Sequence, residues 1–147
     1  MAVSIEQVRA TIEAPNVWHL ATVNADGSPH VTPMWVDVEG DHVMFNTAVG
    51  RVKEENLRRD PRVSLSCVAA DNPYDRVLID GRAVRFVEGD EAVRCMDRLA
   101  KKYVGTDRYE WLIPGERRVM ILVEPTRVRH ITGVEPFRPG ILPDTAV

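Results

Sequence analysis

Short β-prone runs alternate with tight turns along most of this chain, and this pattern limits its possible folds more than any other feature. The run at 17–23 (VWHLATV) is followed by the turn residues 25–28 (ADGS) and a returning run at 29–38. Turns this short favour antiparallel hairpins. The further predicted strands are 42–47, 62–69, 76–87 and 117–131. Six strands with helices to one side predict an α+β fold built on a small antiparallel β-barrel.

Two residues inside the predicted strands indicate irregularities. Pro33 lacks a backbone N–H and argues for an edge strand, a bulge or a strand end. Gly81 would permit a bulge or a sharp bend in the long fifth strand. The segment 70–75, which contains Pro73, is predicted to be a loop.

Three helices are predicted. Ser4 and Gln7 resemble a capping box that opens the first helix. The second covers 51–59, because Pro61 cannot continue it. The third runs to residue 104 and ends at Gly105. Apolar residues at helical spacing predict the buried faces of the first and third helices: Ile5, Val8 and Ile12, and then Val93, Met96, Leu99, Ala100 and Tyr103.

Composition excludes several classes of function. A chain of 147 residues is one domain by length, and its net charge of −3 argues against a nucleic-acid binder that neutralises phosphates. The two cysteines and four histidines lack metal-site spacing, so we expect no metal site. Without a signal-peptide pattern or an apolar run of ~20 residues, we expect a cytoplasmic protein with no membrane insertion.

The segment 45–63 (FNTAVGRVKEENLRRDPRV) has an unusual distribution of charge. A helix N-terminus carries partial positive charge and prefers anions, yet Arg51 and Lys53 lie at this one, just after the hydroxyl of Thr47. A bound phosphate would resolve the conflict. A solvated amphipathic helix with salt-bridged side chains explains the charges equally well.

The most specific pattern combines ATVNADGSPHVTPMWV, FNTAVGRVKEENLRRDPRVSLS and LIDGRAV. Over about residues 17–131 the chain resembles the pyridoxamine 5'-phosphate oxidase-like split β-barrel superfamily. It is most similar to the actinobacterial branch that binds the deazaflavin coenzyme F420. The resemblance implies a split barrel, which agrees with the six predicted strands and with the single domain over residues 1–147 that the length predicts. The prolines and glycines from Gly133 onward predict an irregular tail at 133–147.

The resemblance also implies a homodimer with cofactor sites at its interface. In this sequence the positions implied for cofactor binding are Thr32, Pro33, Met34 and Trp35 against the ring, Thr47, Arg51 and Lys53 around the phosphate, and Asn46, Asn56 and Arg58 at the same site. Coenzyme F420 is the expected cofactor and FMN the alternative, because both carry a tricyclic ring and a phosphate.

One branch of the superfamily is excluded by the end of the chain. Pyridoxamine phosphate oxidases end in a Trp- and Arg/His-rich motif, whereas this chain reads VEPTRVRHITG there. The function expected instead is hydride transfer from reduced F420 to a small-molecule substrate such as an enone, quinone or tetrapyrrole. An FMN-dependent enzyme or a non-catalytic carrier of F420 or haem are the alternatives. The catalytic residues are unknown, because the cofactor brings its own reactive centre.

Overall fold

The computed structural model describes residues 3–133. The predicted irregular tail, 133–147, lies outside these residues except for Gly133. A 3-10 turn (Glu6–Val8) leads into α1 (Arg9–Glu13), and the other helices are α2 (Val52–Arg59) and α3 (Asp90–Val104). The strands are β1 (Trp18–Val23), β2 (Pro29–Met34), β3 (Val36–Glu39), β4 (His42–Ala48), β5 (Arg62–Ala69), β6 (Asn72–Glu88) and β7 (Arg118–Thr132).

All seven strands form one sheet in the order β2-β1-β5-β6-β7-β4-β3, and every neighbouring pair is antiparallel. Strands β2 and β3 are consecutive in sequence but lie at opposite edges, so the sheet must curl to bring its edges together at Trp35. The predicted antiparallel split β-barrel is confirmed. The count of six strands is wrong by one, because the run 29–38 breaks at Trp35 as the chain passes from one edge to the other.

The sheet has an apolar layer on each of its two faces. The barrel interior holds Trp18, Leu20 and Phe45 with alternating residues of the other strands, and Cys67 packs among them as a small core residue. A second layer lies outside the barrel, where α3 covers the outer faces of β4 and β7. β4 and the first part of β7, residues 118–123, are therefore buried on both faces, in contrast to the alternation of β5.

Two features of the helices differ from the prediction: the start of the first helix and the buried face of α3. The Ser4 hydroxyl accepts a hydrogen bond from the Glu6 N–H at 3.2 Å, and Ile5 occupies the N-cap position of a 3-10 turn, so the predicted capping box is wrong. On α3, Val93 is 40% exposed while Ala92 and Cys95 are buried. Met96, Leu99 and Ala100 are buried as predicted and Tyr103 packs against the same cluster, so the prediction is wrong at Val93 alone.

The β5–β6 connection is shorter than predicted, because β6 begins at Asn72 and Pro73 therefore lies in the strand. The predicted irregularity at Gly81 is confirmed by a register shift between β6 and β7. A Cβ atom at Gly81 would lie 2.6 Å from the Glu124 carbonyl oxygen, so the close approach of β6 to β7 at this position requires a glycine. Among residues 3–133, no helix is long and apolar enough to cross a membrane.

Candidate active site

A cavity of about 310 Å³ lies where the β2–β3 junction, the end of β4, the start of α2, α3 and the start of β7 meet. Part of its lining is apolar. The polar and cationic part, formed by Thr47, Arg51, Lys53 and Arg118, is called the polar end below. Its lining residues are Val17, Pro33, Met34, Trp35, Asn46, Thr47, Arg51, Lys53, Met96, Leu99, Tyr109 and Arg118.

Positive charge exceeds negative charge at the polar end. Arg51, Lys53 and Arg118 supply three cations, and the adjacent carboxylate is Glu116, which contacts Arg51 at 2.7 Å and Arg118 at 3.2 Å. The ion pairs of the described residues include none to Lys53. Burial lowers the pKa of Lys53, and the neighbouring charges of Arg51 and Arg118 lower it further. Such an excess of cations in a cavity favours an anionic ligand.

The N-terminus of α2 faces the same end. Arg51 is the N-cap residue, and its side chain makes no capping hydrogen bond. The Thr47 hydroxyl is buried and has no hydrogen-bond partner among the described residues. A buried hydroxyl without a partner costs free energy that a ligand oxygen would recover. The free helix N-terminus, the hydroxyl and the cations therefore form an arrangement that fits a phosphate.

Arg118 is held in position by several contacts. Its Nε donates to Asn46 Oδ1 at 2.9 Å, and Asn46 in turn donates to the Ala92 carbonyl of α3 at 2.8 Å. The guanidinium also lies 5.7 Å from the ring centre of Tyr109. Asn46 thus fixes the orientation of a buried cation that the cavity exposes to a ligand.

Aromatic side chains build the apolar side. Trp35 stacks on Tyr103 at a centroid distance of 5.3 Å and meets Tyr109 edge to face at 6.4 Å. The Tyr103 hydroxyl donates to the Asn16 carbonyl at 2.5 Å and accepts from the Val36 N–H at 3.2 Å, so its ring is fixed. Trp35 and Tyr109 thus present aromatic rings to the cavity, and such rings are suited to contact a planar conjugated ligand.

The structure brings seven of the ten sequence-predicted site residues to this cavity: Pro33, Met34, Trp35, Asn46, Thr47, Arg51 and Lys53. Thr32, Asn56 and Arg58 do not line it. Asn56 is buried and donates to Thr22 and Asn24, which ties α2 to β1. Arg58 pairs with Glu54 at 2.9 Å and lies over the ring of Phe86 at 4.0 Å. These contacts give Asn56 and Arg58 structural roles.

Sequence reasoning missed Arg118 and Met96, whereas the sequence indicated Tyr109 as a candidate for a substrate pocket. A signal for Arg118 was present, because strand alternation places it on the same face as Met120 and Leu122. An arginine on a face that is otherwise apolar requires a buried polar partner or a ligand. Tyr109 belongs to the irregular connection 105–117, where periodicity gives no information about direction.

Other chemistry is limited among the residues that the structure describes. They contain no group of three or more histidine, cysteine, aspartate or glutamate side chains that could hold a metal ion. Burial raises the pKa of Cys67 and of Cys95 to about 11, so neither thiol is an activated nucleophile.

Comparison with known proteins shows the family and the fold to which the chain is similar. A family model described as pyridoxamine 5'-phosphate oxidase matches residues 4–132. A solved structure named F420 reductase is 31% identical with a TM-score of 0.72, over 82% of this chain and 94% of that one. A conserved hypothetical protein of Mycobacterium tuberculosis is 26% identical with a TM-score of 0.71, over 95% and 94%. A heme binding protein of Mycobacterium smegmatis is 25% identical with a TM-score of 0.66, over 90% of this chain and 55% of that one.

Proposed function

Because the chain belongs to the pyridoxamine 5'-phosphate oxidase family, we propose that it is an oxidoreductase that uses reduced coenzyme F420. Its substrate is a small apolar or conjugated acceptor such as an enone, a quinone or a tetrapyrrole. The 31% identical structure named F420 reductase supports the choice of cofactor.

The observation that carries this proposal is the polarity of the cavity. Three cations, two of which pair with a single carboxylate, and the unpartnered Thr47 hydroxyl line one part of the cavity, and Trp35 and Tyr109 line another, with the Tyr109 ring 5.7 Å from Arg118. A ligand that joins an anionic group to a planar conjugated ring fits both parts of the lining. F420 and FMN have this combination.

The residues of this chain would bind and orient the cofactor. Lys53, Arg51 and the N-terminus of α2 would hold the phosphate, with Thr47 donating its hydroxyl hydrogen to a phosphate oxygen. Pro33, Met34 and Trp35 would lie along the ring and exclude water from it. Bound F420 supplies the hydride chemistry, so the protein itself needs no acid–base pair for that transfer.

A homodimer is part of the proposal. A cavity of about 310 Å³ is at the lower end of the roughly 300–1,000 Å³ typical of ligand sites. It is small for a cofactor with a tricyclic ring, a phosphate and an anionic tail. A second copy of the chain would complete the site, as the resemblance implies. A monomer by light scattering at micromolar concentration would contradict this part.

FMN is the alternative cofactor, because the phosphate end does not distinguish it from F420. A non-catalytic carrier is the second candidate, favoured by the similarity to a heme binding protein. Haem would have to bind here without the histidine ligand that is common in haem proteins, since none of the four histidines lines the cavity. Tight binding of F420 or haem without turnover of any acceptor would support the carrier.

Parallel titrations of the purified protein with F420, FMN and haem test the proposal. We expect F420 to bind at micromolar concentration or tighter and FMN much more weakly. Stronger binding of FMN would assign the protein to the flavin alternative. If none of the three ligands bound, the functional proposal would be wrong.

A double variant, Arg51→Ala with Lys53→Ala, tests the phosphate site itself. We expect F420 affinity to fall by about tenfold or more, since a hydrogen bond to a charged group contributes roughly 1.5–3 kcal/mol. The matched control is Arg85→Ala with Lys101→Ala, which removes the same charge from exposed positions outside the cavity. Equal affinities for the two double variants would remove Arg51 and Lys53 from the site.

A further inference from the structure

Glu116 lies beside the cavity and pairs with two of the cations that line it. Its Oε1 lies 2.7 Å from Arg51 Nη2 and 3.2 Å from Arg118 Nη1. The Glu116 side chain is 10% exposed, whereas that of Arg51 is half exposed and lines the cavity. An anion that enters the cavity therefore meets an Arg51 that is already paired with this carboxylate.

The charge state of Glu116 supports its pairing with these two arginines. Burial alone would raise the pKa of Glu116, but the charge of Arg118 and the hydrogen bond from Arg51 outweigh it, so the pKa lies below its ordinary value. Glu116 is thus ionised at neutral pH. Its negative charge offsets one of the three cations and repels any second anion that binds to them.

Arg51 and Arg118 differ in their other partners, and this difference makes Arg51 the cation for which Glu116 and a ligand would compete. Arg118 has a second partner, because its Nε donates to Asn46 Oδ1 at 2.9 Å. Within the described residues, Arg51 forms its ion pair with Glu116. A phosphate that recruits Arg51 must therefore share or replace the carboxylate of Glu116.

We propose that Glu116 is a specificity-determining residue that competes with the phosphate of the ligand for Arg51 and so sets the affinity of the site for anions. This inference rests on the proposed function and concerns the regulation of the same cavity. Glu116 weakens binding of every phosphate-bearing ligand and has little effect on a ring that lacks a phosphate. It thereby prevents stray cellular anions from filling the site.

The test compares FMN with riboflavin, which has the same ring but no phosphate, and adds F420 as the proposed cofactor. The variant is Glu116→Gln, which keeps the shape and removes the charge. Removing a like charge near a partly exposed site changes affinity by about three- to tenfold. We expect FMN and F420 to bind Glu116→Gln more tightly by that factor and riboflavin to bind it as it binds the natural protein.

Two further variants keep the test decisive. Glu110→Gln alters an exposed carboxylate of the same connection and should leave all three affinities unchanged. Glu116→Ala should show the same tightening as Glu116→Gln, and thermal unfolding checks that both variants are folded. If either folded variant bound F420 and FMN more weakly, Glu116 would be a support for Arg51 and the inference would be wrong.

The failures of the two proposals are distinguishable. If the natural protein binds F420 or FMN and Glu116→Gln binds them equally well, the competition is refuted and the proposed function stands. If no phosphate-bearing ligand binds either protein, both proposals are refuted.

Discussion

Replacing Lys53 by methionine should have opposite effects on the stability of the ligand-free protein and on its affinity for phosphate-bearing ligands. Lys53 is half-buried beside Arg51 and Arg118, and the ion pairs of the described residues give it no carboxylate. Methionine has a similar length and a similar helix propensity, so the helix itself is preserved. The substitution removes a charge that is unfavourable in the empty cavity and required when an anion is bound.

The magnitude follows from the charges at the polar end. Three cations and one carboxylate leave a net charge of 3 − 1 = +2, and the substitution lowers it to +1. Relief of repulsion between partly exposed charges is worth about 0.5–1 kcal/mol. For a domain of this size that corresponds to a rise in Tm of about 1–4 °C. Phosphate-bearing ligands should bind more weakly by about tenfold, since a charge-assisted contact is lost.

The pH dependence has a definite sign. The pKa of Lys53 is lowered in the folded protein by burial and by Arg51 and Arg118, so the unfolded chain binds this proton more tightly. The penalty for a charged Lys53 is therefore fully present below its folded pKa and disappears as the pH rises to the ordinary lysine value of 10.5. The stability advantage of Lys53→Met should shrink over the same range.

The assay is thermal unfolding without ligand and with saturating FMN or F420, alongside titration of both ligands. Lys101→Met is the control, because Lys101 is exposed and paired with Asp107 at 3.0 Å. The control should neither gain stability nor lose affinity. A Lys53→Met protein that is less stable than the natural one in the absence of ligand would refute the reasoning, since Lys53 would then have a stabilising partner.

Two other predictions concern the fold. Gly81→Ala should destabilise the protein by about 2–3 kcal/mol, because the new Cβ would lie 2.6 Å from a backbone oxygen of β7 that cannot move independently. Urea unfolding measures this, and an unchanged midpoint would show that β6 and β7 relax apart. Cys67 and Cys95, whose pKa values burial raises to about 11, should not react with a thiol reagent at pH 8 in the folded state and should both react in urea. Fast labelling of the folded protein would mean that the α3 layer or the barrel opens readily.

Local patterns predicted the elements that depend on neighbouring residues. The bounds of β5 match the prediction at both ends, because alternation of Val63, Leu65 and Cys67 with polar residues extends over the whole strand. Gly105 ends α3 in the left-handed conformation as predicted. The loop predicted at 70–75 is wrong after Asp71, because β6 begins at Asn72, which pairs with Ala69, and Pro73 lies in a register irregularity between this pair and the pair of Val68 with Arg76.

The candidate site was only partly predictable, because proximity in sequence does not determine the direction of a side chain. The charge conflict at the start of α2 identified Arg51, Lys53 and Thr47, since all three lie within seven positions of one another. Asn56 and Arg58 were grouped with them by proximity in sequence, yet their side chains face β1 and Phe86 instead of the cavity.

By itself, the sequence determined the strand-and-turn pattern, the basic helix start and the family, because these depend on side-chain period, turn chemistry and short motifs. Only the tertiary structure decided that Trp35 is the point where the two sheet edges meet, that Arg118 lines the cavity with Arg51 and that Glu116 pairs with both arginines. Arg51 and Glu116 are separated by 65 positions. Contacts across such a separation depend on the order of strands in the curled sheet, which no local pattern encodes.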